Sequence, residues 1–196
     1  MSAVASIVEG DGEVAALPIL LRRLGDWLTP DQAVNVLPPI RVRRDRLINR
    51  DDEFRRHLLL AAAKCADSGW ILVLLDADDD CPAELGAQLL ARASAVVPHR
   101  RVSVVLANRE FEAWFIAAAA SLTGQRSFVF DVSHRVDAEV PRNAKGWVER
   151  RMSSRAYRET TDQPAFTARM DLHLAREGSR SFRKLCSEWQ RMIGSE

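Results

Sequence analysis

Two spacings of apolar residues alternate along the first two thirds of the chain. "AVASIV" (residues 3–8), "WILVLL" (70–75) and "RVSVVLA" (101–107) read as strands, the second apolar on both faces as a strand inside a covered sheet is. Between them apolar residues recur every three or four positions, the spacing of a helix face. Those stretches predict helices over 12–28, 51–69, 82–97 and 109–124, with Gly69 and Gly124 as stops and Pro82 near a first turn. "AVNVLPPIRV" (33–42) predicts a further strand, weakened by two prolines that cannot donate to a ladder. Such alternation predicts an α/β fold, a parallel sheet flanked by helices.

Past residue 125 the pattern changes. "SFVFDV" (127–132) predicts one more short strand. Arg-rich helical stretches follow at 142–152, 164–178 and 179–193. In the last, Phe182, Leu185, Trp189, Met192 and Ile193 form one apolar stripe and Ser179 is a candidate N-cap. Arg180, Arg183, Lys184 and Arg191 fall largely elsewhere on that helix, a candidate basic face for nucleic acid or a partner protein. The division expected is an α/β domain over 1–124 and a helical C-terminal extension over 125–196 packed on it.

Composition narrows the class. The 196 residues are 47% hydrophobic and 28% charged, as in a soluble globular protein. A net charge of +1 creates no global field toward nucleic acid or membrane, so any basic binding face must be local. Only Lys64, Lys145 and Lys184 are lysines. The arginine excess fits either phosphate recognition or codon bias. Cys65, Cys81 and Cys186 lie far apart with no zinc-type spacing, which predicts free thiols in a reducing cytoplasm. Cys81 reads as a small packing residue. No signal peptide or membrane-length apolar run is evident, so a cytoplasmic protein with no membrane partner is expected.

The acids carry the chemistry. "ILVLLDADDDCP" (71–82) runs an apolar strand into four aspartates within five positions. Crowded carboxylates raise the cost of ionising one another, so either water solvates them or a cation joins them. In an open parallel sheet ligands bind off the carboxyl ends of the strands. The first strand ends in "VEGDGE", with Glu9, Asp11 and Glu13. The "LVLL" strand ends at Asp76, followed by Asp78, Asp79 and Asp80. "ANREFE" places Glu110 and Glu112 after a third. Hard oxygen ligands so grouped suit Mg²⁺ or Mn²⁺. Taken singly, Glu13, Glu110 and Glu112 also fit the helix macrodipole, and Asp79 and Asp80 fit capping of the next helix. Glu9 and Asp76 end apolar strands and cap nothing.

Rival readings fit less well. "GDGEVA" (10–15) matches a dinucleotide-binding glycine pattern, but its own acids would crowd a pyrophosphate. The glycines are better explained by an unusual turn and a close approach. D-x-D also occurs in haloacid-dehalogenase-like phosphatases, where it ends the first strand, and in nucleotide-sugar transferases, which would leave Glu9 unexplained. No G-x-S-x-G is present, and His57, His99, His134 and His173 are scattered.

A strand ending in Glu-Gly and a later strand ending in D-x-D resemble the toprim domain of topoisomerases, bacterial primases and the overcoming-lysogenization-defect nucleases, over roughly residues 3–124. On "VEGDGE", "LLDADDD", "REFEAWFIA", "YRETTDQPAFTARMDLHLA" and "SFRKLCSEW", the whole chain resembles the toprim-like family catalogued as domain of unknown function 4276. That resemblance implies a prokaryotic protein, expected beside an ATPase in defence-type gene neighbourhoods. It implies metal-dependent chemistry on phosphodiester bonds, with Glu9, Asp76 and Asp78 as ligands of Mg²⁺ or Mn²⁺. Glu13, with Glu110 or Glu112, would hold a second ion or orient the attacking water. Arg142, Lys145 and Arg150 are candidate clamps for a nucleic-acid backbone. Topoisomerases need a tyrosine nucleophile outside the toprim domain. The one tyrosine, Tyr157, lies in the Arg-rich tail, and water is the nucleophile expected. The alternative expectation is a non-catalytic effector or regulatory subunit of an ATPase complex.

Overall fold

The computed structural model describes residues 2–65 and 69–194. Five parallel strands form one sheet: β1 (Ser2–Val8), β2 (Val34–Val36), β3 (Ile40–Arg41), β4 (Trp70–Asp76) and β5 (Arg101–Ala107). Their order is β2-β1-β4-β5, with β3 also paired to β1. The chain therefore leaves β1 for one side of the sheet and returns as β4 on the other. In open parallel sheets such a reversal is where ligands bind, and here it lies beyond the carboxyl ends of β1 and β4. The expected parallel α/β architecture with C-terminal helices is the one observed.

Strand alternation sorts the core into two layers. Trp70, Leu72 and Leu74 of β4 face one side with Val4, Val8 and Val105. Ile71, Val73 and Leu75 face the other with Ile7, Val102 and Val104. The second side is covered by α2 (Arg44–Asn49), α3 (Asp51–Lys64) and α4 (Pro82–Val96), through Leu47, Phe54, Leu58, Leu89 and Ala93. On the first side lie α1 (Asp11–Leu28), α5 (Ala113–Ala117), α6 (Ala119–Leu122), α7 (Ala144–Glu149), α8 (Glu159–Thr167), α9 (Leu172–Gly178) and α10 (Arg180–Ile193). The C-terminal helices thus share one continuous core with the sheet. Trp189 shows how α10 is locked: it is fully buried, stacks edge-on against Trp70, and donates Nε1–H to Thr29 Oγ1 at 2.9 Å. Ser179 caps α10 as expected, accepting the Phe182 N–H.

Several local expectations are corrected. Pro38 and Pro39 split the 33–42 strand into β2 and β3. α3 ends at Lys64, where the Cys65 N–H bonds Ala61, rather than at Gly69. The helix over 109–124 breaks at Ala118 into α5 and α6, and that over 164–178 restarts at Asp171, whose carboxylate caps α9. The strand over 127–132 does not form. Arg126 and Ser127 both take positive φ, and only an isolated bridge joins Phe128 to Met152. The basic residues of α10 have partners within the chain: Arg180 pairs with Glu139, Arg183 donates to the Arg176 and Glu177 carbonyls, and Lys184 and Arg191 pair with Glu188. All three cysteines are free, and Cys81, expected as a small packing residue, is exposed. No helix among the described residues is long and apolar enough to cross a membrane.

Candidate functional site

Four carboxylates lie near one another beyond the carboxyl ends of β1 and β4. Glu9 follows β1 directly. Glu13, two residues into α1, is turned back toward Gly10. Asp76 is the last residue of β4, and Glu112 stands in the turn before α5. Backbone N–H groups fix the first contacts: Asp76 donates to Glu9 Oε2 at 3.4 Å, and Phe111 donates to Asp76 Oδ1 at 2.8 Å. Two side chains from the C-terminal segment close the cluster. Gln163 Nε2 on α8 reaches Glu13 Oε1 at 3.2 Å and Glu112 Oε1 at 3.4 Å, and the Tyr157 hydroxyl donates to Glu112 Oε1 at 3.0 Å.

The glycines of "VEGDGE" serve this packing. Gly10 is extended at φ −107°, so no unusual turn angle is needed there. A side chain on Gly10 would strike Glu13 Oε2, and one on Gly12 would strike Gln163 Oε1. Close approach was the correct half of the expectation, and what approaches is the protein's own acid and amide. Those two oxygens are buried and without hydrogen-bond partners.

Burial and crowding make these acids reluctant to ionise. Burial first, then the charge of Glu13, pushes Glu9 up to about 7. Burial first, then Glu112, Glu13 and Glu9, holds Asp76 well above the usual carboxylate range. Burial raises Glu112 to about 7 against the opposing hydrogen bond from Tyr157. Among the described residues no Arg, Lys or His is ion-paired with Glu9, Glu13, Asp76 or Glu112. The donor set is all carboxylate oxygen, with Glu13 Oε2 unspent, which fits a hard divalent ion. The side chains as they stand are not gathered around one point: no group of three His, Cys, Asp or Glu among the described residues is arranged to hold a metal.

The remaining expected residues form a rim. Asp78 is exposed, in the left-handed region at φ 51°, and lies 3.5 Å from Arg44 Nε, so the D-x-D pair divides between cluster and rim. Asp80 and Asp79 do not cap α4, whose N-cap position is Cys81 with no side-chain bond. Asp80 instead meets Arg44 Nη2 at 2.5 Å, while Asp79 meets Arg109 and Arg142. Arg44 also donates to the Asp76 and Ala77 carbonyls, pinning the end of β4. Glu110 accepts the Lys145 N–H at 2.7 Å and so holds α7, leaving Glu112 as the glutamate of this turn that enters the cluster. The Lys145 ammonium pairs with Glu159 and lies near enough to Glu112 to favour its charge. Arg150 sits exposed at the far end of α7. Tyr157 joins the cluster as a buried hydrogen-bond donor, its phenol pushed further up by burial and by Glu112. Gln163, Arg44 and Arg109 were not anticipated. "YRETTDQPAF" contained two of the cluster's residues, but only tertiary packing brings them to the strand ends.

A sequence model of the family described as Domain of unknown function (DUF4276) matches residues 8–189. That span covers every element from the start of the cluster to Trp189, and the chain belongs to this family. No curated protein matches, and no solved structure matches.

Proposed function

We propose that this member of the family is a divalent-metal-dependent nuclease that cleaves phosphodiester bonds with water. One observation carries the reading: Glu9, Glu13, Asp76 and Glu112 neighbour one another at the switch point of a parallel sheet, and among the described residues no basic side chain is paired to any of them. A purely structural cluster of acids would be expected to hold arginine or lysine. The likeness of the Glu-Gly and D-x-D strand ends to toprim enzymes favours phosphodiester chemistry over other uses of Mg²⁺ or Mn²⁺.

Glu9 and Asp76 would hold the ion, with Asp78 reaching in from the rim. Such an ion, when bound, neutralises phosphate charge and stabilises the leaving oxygen. Glu112 is the proton acceptor for the attacking water, positioned by Tyr157 and Gln163 and pushed toward the pH at which it works best as a base. The water oxygen bonds to phosphorus, the water proton passes to Glu112, and the ester P–O bond breaks with the leaving oxygen taking a proton from solvent. Tyr157 is unsuited to attack, because its hydroxyl is buried and already donated to Glu112.

The test is incubation with labelled DNA and RNA plus Mn²⁺ or Mg²⁺, followed on gels. Cleavage by the wild type, lost in Glu9→Gln while the melting temperature is kept, is the expected result. Cleavage that survives Glu9→Gln overturns the site. A second reading, a non-catalytic subunit of an ATPase complex in a prokaryotic defence-type system, is favoured by the exposed Val129, Val132, Val136 and Val140. A stable complex with no cleavage under any of these conditions would select it.

A further inference from the structure

Beside the acid cluster, Asp79 stands in an arrangement an anion would occupy. Arg109 Nη1, from the end of β5, lies 2.8 Å from Asp79 Oδ1, and Arg142 Nε, from the loop before α7, lies 3.3 Å from the same oxygen. The two arginines come from segments 33 residues apart in numbering and converge on one carboxylate. Asp79 makes no other polar contact among the described residues, and its side chain is 71% exposed. Arg142 is 77% exposed. An ion pair this open to water adds little stability, so another anion displaces it at small cost.

Arg109 carries a second mark. It sits at φ 69°, in the left-handed region that a long side chain rarely adopts, and faces Asp78 at φ 51°. The two are locked by an Asp78 N–H to Arg109 carbonyl bond of 2.9 Å and an Arg109 Nη1 to Asp78 carbonyl bond of 3.0 Å. Backbone strain persists where the surroundings over-determine it, and it collects at functional turns. Arg109 Nε is buried with no partner, so one donor of the guanidinium is unspent. Arg44, on the same rim, holds the Asp76 and Ala77 carbonyls as well as Asp78 and Asp80, and so fixes the end of β4. Two residues past Arg109, the Phe111 N–H holds Asp76. An anion held by Arg109 and Arg142 is thereby brought next to the carboxylate cluster.

We infer that Arg109 and Arg142 form the seat for a phosphodiester of a nucleic-acid substrate, and that Asp79 fills this seat in the free protein as an internal stand-in for the phosphate. Substrate binding exchanges one anion for another: the phosphate takes the two guanidinium groups, and Asp79 turns out into water. The planar fork of arginine suits this exchange, because it matches carboxylate and phosphate alike. The inference deepens the proposed nuclease reading, but the seat itself needs no metal.

The experiment measures binding without cleavage. Fluorescein-labelled single-stranded DNA and RNA of one sequence are titrated with protein in EDTA, by fluorescence polarisation, across a salt series. Arg142→Ala weakens binding about tenfold, with a salt slope shallower by roughly 0.7 for the lost phosphate contact. Asp79→Asn tightens binding several-fold, and the double variant Asp79→Asn with Arg142→Ala shows no such gain. Arg142 and Asp79 are exposed, so both variants keep the wild-type melting temperature. The DNA and RNA arms decide which backbone the seat takes. No binding by the wild type, or equal affinities for wild type, Arg142→Ala and Asp79→Asn, overturns the inference. Binding changes of the expected kind with no cleavage in Mn²⁺ uphold the seat and sink the nuclease. Cleavage with a KM untouched by Arg142→Ala sinks the seat alone.

Discussion

Glu139 and Glu112 are both buried carboxylates in one small protein, and their surroundings drive them in opposite directions. Burial raises Glu139, but hydrogen bonds from the Ser181 N–H, Asn108, Arg180 and Ser179 overcome it and bring the group down to about 2. Its charge also faces the first turn of α10, where the helix dipole favours an anion. Glu112 has Tyr157, its own backbone N–H and a long contact from Gln163, beside other acids, and stays near 7. Glu188 and Asp162 follow the Glu139 pattern, the first held by Ser103, Lys184 and Arg191, the second by Arg126, Arg155 and the Arg158 N–H. In this protein a structural acid is saturated with donors. The acids at the strand ends are not, and that shortage separates them from every other buried carboxylate described.

The largest effect that separates the two regions is the loss of Glu139. Glu139→Ala strands the donors of Ser179, Ser181 and Asn108 and should cost roughly 3–5 kcal/mol in urea unfolding. Asp76→Asn should do the reverse. It keeps an oxygen to accept the Phe111 N–H and removes a charge from the crowd. A gain of roughly 1 kcal/mol would appear as a melting temperature 2–4 °C higher. That gain should be largest above pH 7, where the neighbouring acids ionise, and should vanish near pH 4.

The pH dependence sharpens the contrast. Glu9 and Glu112 are raised in the folded state from 4.5 to about 7, so the stability they contribute is full below 4.5 and lost as pH rises through 7. Glu139 is lowered from 4.5 to about 2, so its contribution is full above 4.5 and lost as pH falls through 2. Melting curves from pH 2 to 9 should therefore fall on both flanks. Glu112→Gln should flatten only the alkaline flank, and Glu139→Gln only the acid one. A flank that fails to respond to its own variant would break the assignment. The smallest effect expected is from Asp80→Asn, which removes an exposed pairing with Arg44 and should cost about 1 kcal/mol or less.

How legible this was in the sequence differs by region. β1, β4 and β5 were readable because apolar runs of strand length have few alternatives, and α10 because its stripe and Ser179 agree. The split of β2 from β3 follows Pro38 and Pro39, which were visible in the sequence as a weakness of the strand, whereas the loss of a strand at 127–132 turns on positive φ at Arg126 and Ser127, which residue type only weakly constrains. At the site, Glu9, Asp76, Glu13 and Glu112 were readable because each lies at or just past a strand end. Capping of α4, the local alternative for Asp79 and Asp80, does not occur because Arg44, Arg109 and Arg142 reach them from other segments. Glu139 was not singled out at all. Its four donors come from Asn108 and from the start of α10, and no local spacing in the sequence joins them.

The under-satisfied acids at the strand ends are proposed to form one cation site. Melting of wild type, Asp76→Asn, Glu9→Gln and Asp80→Asn at pH 8, across millimolar Mn²⁺ and Mg²⁺, tests it most directly. A bound cation stabilises the folded state by mass action. A saturable rise in melting temperature is expected for wild type and Asp80→Asn, and none for Asp76→Asn or Glu9→Gln. Equal shifts in all four proteins, or no shift in any, would contradict it.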